Sequence, residues 1–322
     1  MRNKTLVLGA VFAGGLALAS AAAPWLAPYD PDEQIDPAAG SYRPPGTSLA
    51  AVRLADGNWR LADRAERVPE GLRIERLGRA EILPADRVLN LTPQGVSDRR
   101  FYLLGSDRFG RDLWSRMLWG GQISLAIGLL AAALSLVLGV AVGASAALGG
   151  PWIDGLLMRF VDALLSFPLT LLLVTVAIFF QPSTSALILF LGGLGWMGIS
   201  RLARAEILGL KEREFVLAAR AIGLHPFKVF WRHLLPNALT PVLIQTTLLI
   251  GQIILAESSL SFLGLGVQPP TPTWGNLMDE GRESLAIAWW IATFPGAAIA
   301  VAVIAFNLLA DGLRDVLDPR TR

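Results

Sequence analysis

The sequence predicts an all-α membrane protein of six transmembrane helices, with an irregular strand-containing segment inserted after the first. Three observations carry this reading. Of 322 residues, 53% are hydrophobic, and the mean hydropathy of +0.50 exceeds that of an ordinary soluble domain. Apolar runs long enough to cross a bilayer recur along the chain. Lys and Arg concentrate in one short connection, Arg201 to Arg232, as they do on the cytoplasmic side of membrane proteins. The formal net charge of +2 is scattered and gives no nucleic-acid footprint. With no cysteine and only His225 and His233, the chain offers no thiolate nucleophile, disulfide framework or His/Cys metal site. It has no phosphate-cradling G-x-x-x-x-G-K-[ST] loop, so no ATP hydrolysis and no catalytic residue is expected in this chain.

The elements follow in order. Arg2 and Lys4 precede the run from Leu6 to Ala23, which just suffices for a span. Ala21-Ala22-Ala23 also suits a signal-peptide end, but the run is long for one, so an uncleaved anchor over 1–27 is favoured. Residues 28–104 are broken by Pro28, Pro31, Pro37, Pro44 and Pro45. They then alternate at Val52-Arg53-Leu54, Trp59-Arg60-Leu61, Leu72-Arg73-Ile74-Glu75 and Leu89-Asn90-Leu91, which predicts short strands in an extracytoplasmic lid or spacer. Leu103–Leu125 reads LLGSDRFGRDLWSRMLWGGQISL. There Asp112 and Arg116 are spaced to pair at i, i+4 on an interfacial helix, with Trp114 and Trp119 at headgroup depth. Ile123–Leu148 spans the bilayer, with Gly139 and Gly143 as a close-packing G-x-x-x-G pair. Leu156–Phe180 spans next, with an Arg159–Asp162 pair and a kink at Pro168. Ser185–Ser200, Ala238–Phe262 and Ala286–Leu309 complete the six. Counting from the cationic loop places both termini in the cytoplasm and 28–104 outside.

Between two spans lies Glu214–Pro236, EFVLAARAIGLHPFKVFWRHLLP. Phe215, Ala218, Ala219 and Ile222 share a helical face. Gly223 suits a helix end with positive φ, and Pro226 suits the first turn of a second helix, which Pro236 is expected to close. Lys228 and Arg232 share one face of it, and Phe227, Phe230 and Leu234 another. Two short helices meeting at a small-residue elbow would let another protein approach the backbone closely. The same residues also suit a basic amphipathic hairpin on the membrane surface.

This stretch resembles the EAA loop by which ABC importer permeases dock on their ATPase subunits. Ala218, Ala219, Gly223, Leu235 and Pro236 match, whereas Leu217 stands where Glu is usual and His233 where Ile is. Leu103–Leu125 resembles the start of the core in the peptide and nickel branch. There Gly105, Asp107, Gly110, Arg111, Asp112, Ser115, Arg116, Gly120, Ser124 and Leu125 match, Ser106 replaces Thr and Gln122 replaces Arg. MRFVDALLSFP is similar to a stretch that follows the first core helix in the permease family, and AESSLSFLGLGVQPPTPTWGNLM (Ala256–Met278) and DGLRDVLDP (Asp311–Pro319) resemble the C-type permease subunit of that branch. The resemblance covers about 103–319. It implies a five-helix type I importer core over 105–322, with a cytoplasmic docking loop at 210–237.

The resemblance further implies transport of di- or oligopeptides delivered by an extracytoplasmic binding protein. The partners would be a second, B-type permease subunit and two ATP-binding subunits carrying ATP and Mg, all in a bacterial or archaeal cytoplasmic membrane. Docking would fall to Glu214, Phe215, Ala218, Ala219, Arg220, Gly223, Pro226, Arg232 and Pro236, with Ala218 and Ala219 facing the ATPase. Glu257, with Ser258 and Ser261 beside it, either meets substrate or holds the gate region. Asn307 and Asp311 are expected to cap or pair within the bundle. Import of nickel or another small solute by the same machine is one alternative. A secondary transporter is another, and it would need paired intramembrane acids and an inverted repeat.

Overall fold

The computed structural model describes residues 3–168, 171–175 and 183–317. These form two compact units: one of residues 1–17, 123–268 and 299–322, the other of 18–122 and 269–298. The helices are α1 (Asn3–Ala21), α2 (Ala23–Leu26), α3 (Pro37–Gly40), α4 (Leu113–Leu148), α5 (Gly150–Leu165), α6 (Thr184–Lys211), α7 (Glu214–Ala221), α8 (Pro226–Val229), α9 (Leu235–Phe262), α10 (Trp274–Arg282) and α11 (Trp290–Leu317). Among the described residues, five helical stretches are long and apolar enough to cross a membrane: Lys4–Ala21, Leu113–Leu148, Thr184–Lys211, Pro226–Phe262 and Trp290–Leu317. The expected span at 156–180 falls partly outside the described residues. Its described part is the end of α5, a break at Ser166–Pro168 and a helical turn at 171–175.

In the first unit, small residues let helices meet backbone to backbone. A Cβ at Gly139 would strike Ile199 and the Trp196 carbonyl, and one at Gly143 would strike the Ser200 carbonyl, so the G-x-x-x-G pair seats α4 on α6 as expected. Gly9 meets the backbone of Leu308 and Leu309, and Gly312 meets Leu6, which packs α1 along α11. Ile127, Ala131, Leu187, Leu191, Ile253 and Leu260 fill the space between α4, α6 and α9. The acids of α5 reach across to α6: Asp154 pairs with Arg204 and Asp162 with Arg201. The expected Arg159–Asp162 pair therefore gives way to a tertiary one, because α5 lies against α6 and offers Asp162 another guanidinium. Asn307 and Asp311 are exposed, and no hydrogen bond or ion pair holds either among the described residues, so the expected capping role is not found.

The second unit holds the strands, which are more regular than the proline-rich sequence suggests. β1 (Thr47–Arg53), β2 (Trp59–Ala62) and β8 (Asp98–Tyr102) form an antiparallel sheet in the order β2-β1-β8. β3 (Arg64–Val68), β4 (Gly71–Arg76) and β5 (Arg79–Pro84) form a second, and β6 (Leu91–Thr92) with β7 (Gly95–Val96) a short hairpin. Alternation sets the register. Leu72 and Ile74 are buried while Arg73 and Glu75 are exposed, and Val52, Ala62 and Leu83 complete the core. Leu77 and Gly78, both at positive φ, make the two-residue turn between β4 and β5.

Candidate functional site: a docking elbow and a buried charge cluster

The elbow takes the form the sequence leads one to expect at its centre. α7 ends with the Ile222 N–H donating to the Ala218 carbonyl and the Gly223 N–H to that of Arg220. Gly223 has φ +80, a conformation only glycine adopts cheaply, and open space surrounds the position of its missing Cβ. His225 then caps α8, its Nδ1 accepting from the Phe227 N–H at 3.3 Å, and Pro226 occupies the first turn.

Two expectations about this loop are corrected. Pro236 does not close the second helix. The chain continues through a π-helical turn at Phe230–Leu234 directly into α9. Pro236 lacks an N–H and would crowd the preceding turn of a regular helix, and the wider turn beside it accommodates this. Ala219 does not face outward. It is buried with Val216 against Val229, Leu234 and Ala238. α7 rests on the body through these two residues, which leaves Glu214, Phe215, Ala218, Arg220 and Ile222 exposed. Pro226, Phe227, Lys228, Trp231, Arg232 and Pro236 are exposed on the second arm. Between the arms is a cavity of about 560 Å³ whose lining includes Lys211, Arg220, Leu224, Pro226 and Phe227.

The residues of the Leu103–Leu125 motif form a different kind of site. Arg116 Nη1 donates to Asp107 Oδ2 and to Glu280 Oε2, both at 2.7 Å. Arg111 Nε donates to Asp107 Oδ2 at 2.6 Å and its Nη2 to Glu280 Oε2 at 2.9 Å. Two cations and two anions thus close a buried ring with no net charge. Gly110 turns the chain back at φ +76, and its carbonyl accepts from Tyr102, whose hydroxyl pKa burial pushes up to about 12. The Asp112–Arg116 pair is corrected here. Asp112 Oδ2 instead accepts from the Ser115 N–H and hydroxyl at 2.8 and 2.7 Å, capping the otherwise unpaired N–H groups at the start of α4. Burial pushes the Asp112 carboxyl above its usual range, and the Ser115 bonds only partly offset this. Glu280 was missed because nothing in its local sequence points to a partner more than 160 positions away.

Glu257 is fully buried in α9. Its Oε1 accepts from Ser261 at 2.8 Å, and Ser258 Oγ lies 3.4 Å from its Oε2. The three residues singled out from sequence are therefore one local network.

The family described as binding-protein-dependent transport system inner membrane component matches residues 135–322. The chain belongs to that family. Residues 1–45 match the N-terminal transmembrane domain of oligopeptide transport permease C. A protein of Brucella suis biovar 1 with the provisional name peptide transport system permease protein is 45% identical over 224 residues, 69% of this chain and 74% of that protein. The dipeptide transport system permease proteins DppC of Alkalihalophilus pseudofirmus and Bacillus subtilis are 37% and 36% identical, covering 76% and 72% of this chain and 78% and 73% of theirs. Among solved structures, an inward-facing MetNI methionine ABC transporter chain superposes with a TM-score of 0.51 at 20% identity, over 64% of this chain and 97% of that one. The fold is that of a type I importer permease, and the chain is a multi-pass inner-membrane component of an ABC importer.

Proposed function

We propose that this chain is the C-type subunit of a peptide importer, forming half of a translocation path with a B-type permease. Two ATPase subunits would bind ATP and Mg and dock on the elbow at 210–237, and an extracytoplasmic binding protein would deliver di- or oligopeptides. The permease relatives named for peptide and dipeptide transport support the substrate class. The observation that carries the docking assignment is the elbow itself. Gly223 is open to its surroundings at positive φ, flanked by exposed Phe215, Ala218, Ile222 and Phe227 and by the cations Arg220, Lys228 and Arg232. Exposed apolar side chains rimmed by charge suit a protein partner. Residues 1–27 serve as a retained anchor in this reading, which the packing of Gly9 and Gly312 between α1 and α11 supports.

Topology and docking are tested together. The chain has no cysteine to give background. Glu70→Cys should react with an impermeant thiol reagent added outside intact cells, and Glu212→Cys should react only after permeabilisation. Ile222→Asp should leave the chain in the membrane while the ATPases no longer copurify with it. Retained copurification and normal uptake would favour the membrane-surface hairpin.

A further inference from the structure

Gln245 and Gln252 on α9 play no part in the elbow or the charge cluster. At 1.5 Å per residue, they lie about 15 and 25 Å along the helix from Leu235, within the ~30 Å hydrocarbon thickness. Seven residues apart, they fall within about 20° of one face. Hydroxyls flanking them on the same helix are occupied by its own carbonyls: Thr246 donates to Val242, Thr247 to Leu243 and Ser259 to Leu255. Neither glutamine amide has a hydrogen-bond partner among the described residues. Both instead line, with Leu249, a cavity of about 190 Å³ walled on the other side by Gly195, Gly198 and Phe167. No charged side chain contributes to that lining. At Gly198 no atom lies within 4 Å of the place a Cβ would take, so the α6 backbone is uncovered there.

An amide facing lipid without a partner is costly, and polar groups at such depth face a water-filled cavity or another protein group. Here two amides share one face and open into the same cavity. We propose that Gln245 and Gln252 line the translocation path and hydrogen-bond the main chain of the passing peptide. This rests on the peptide-importer reading above and assigns residues to it. A glutamine amide offers two N–H donors and a carbonyl acceptor, the complement of a peptide unit. A lining without charge does not discriminate between acidic and basic side chains. The pair thus reads what all peptides share.

The test uses the complete transporter reconstituted with its second permease, ATPases and binding protein. Gln245→Cys and Gln252→Cys are exposed to a charged methanethiosulfonate reagent, with Leu189→Cys, an outward position on α6, as the lipid-facing control. The path cysteines should be modified at least tenfold faster than the control, and a transported dipeptide should slow the reaction. The double variant Gln245→Leu/Gln252→Leu should lower dipeptide uptake at least tenfold per assembled complex. Path cysteines no more reactive than Leu189→Cys would overturn the proposal, as would uptake by the double variant within twofold of the parent. Loss of assembly in the double variant together with inert cysteines would identify the amides as a contact with the second permease. Rapid modification in a transporter that moves no peptide would leave the path assignment standing and refute the peptide substrate.

Discussion

The elbow and the charge cluster are built from the same residue types and put them to opposite use. Around Gly223 the cations Arg220, Lys228 and Arg232 are exposed, and among the described residues no carboxylate pairs with them. Around Asp107 the paired groups are withdrawn from water: Arg116 and Asp107 are 0% exposed, Arg111 4% and Glu280 9%. A buried ion pair is weak evidence of net stability, because desolvation offsets the Coulomb attraction, but breaking one strands an uncompensated charge. An exposed cation contributes little to its own fold and remains available to a partner. Both stretches stand out in the sequence as motifs, and burial separates a scaffold from a surface.

The largest expected effect breaks the scaffold. Arg116→Met leaves Asp107 and Glu280 facing each other with only Arg111 between them. It should cost about 3–5 kcal/mol, read as a lower unfolding temperature in detergent. Pairing it with Glu280→Gln should recover part of that loss, and strict additivity of the two would show that the ring is not coupled.

Gly223→Val comes next. The open space means no clash within the chain, so only backbone strain of about 1–3 kcal/mol applies. Insertion should survive while ATPase copurification falls. Arg220→Ala should leave unfolding within about 0.5 kcal/mol of the parent and still weaken copurification. If Arg220→Ala destabilised the chain as Arg116→Met does, the contrast between the two regions would fail.

The smallest effect is a pH dependence in the strand-bearing region. Burial opposes ionisation of Asp36, but bonds from Arg76, the Leu61 N–H and the Ala39 N–H outweigh it and hold its pKa below the usual carboxylate value. A folded-state pKa depressed in this way gives stability that is present above the unfolded value, about 4, and is lost as pH falls through the lower folded one. Asp36→Asn should therefore flatten the acid limb of the unfolding curve below about pH 4 and reduce stability at neutral pH. An unchanged acid limb would remove Asp36 as its source.

Much of this was legible because it is local. Apolar runs marked the spans, Gly139 and Gly143 their close contact, and Gly223 with Pro226 the elbow. Alternation at Leu72–Glu75 found β4. The failures came where a local rule met a distant partner. Arg116 at i, i+4 from Asp112 satisfies the helix-pair rule, yet Glu280 and Asp107 are better placed to hold it. Ala219 was read from a helical face without knowing that Val216, one turn earlier, would set which face docks on the body. Gln245 and Gln252 did carry a signal, two amides at heptad spacing in an apolar run, which attention to charged residues passed over.

The π-helical turn at Phe230–Leu234 acts as a phase setter. A π turn holds one more residue than the α turn it replaces, and each residue of a helix advances the next by about 100°. Everything on α9, including the Gln245–Gln252 face, is thus clocked relative to Phe227, Lys228 and the arm that leads back to Gly223. Winding Phe230–Leu234 as ordinary α-helix with no residue removed would rotate one surface against the other by about 100°. Every side chain would still be present, but the elbow and the glutamine face would no longer be in step.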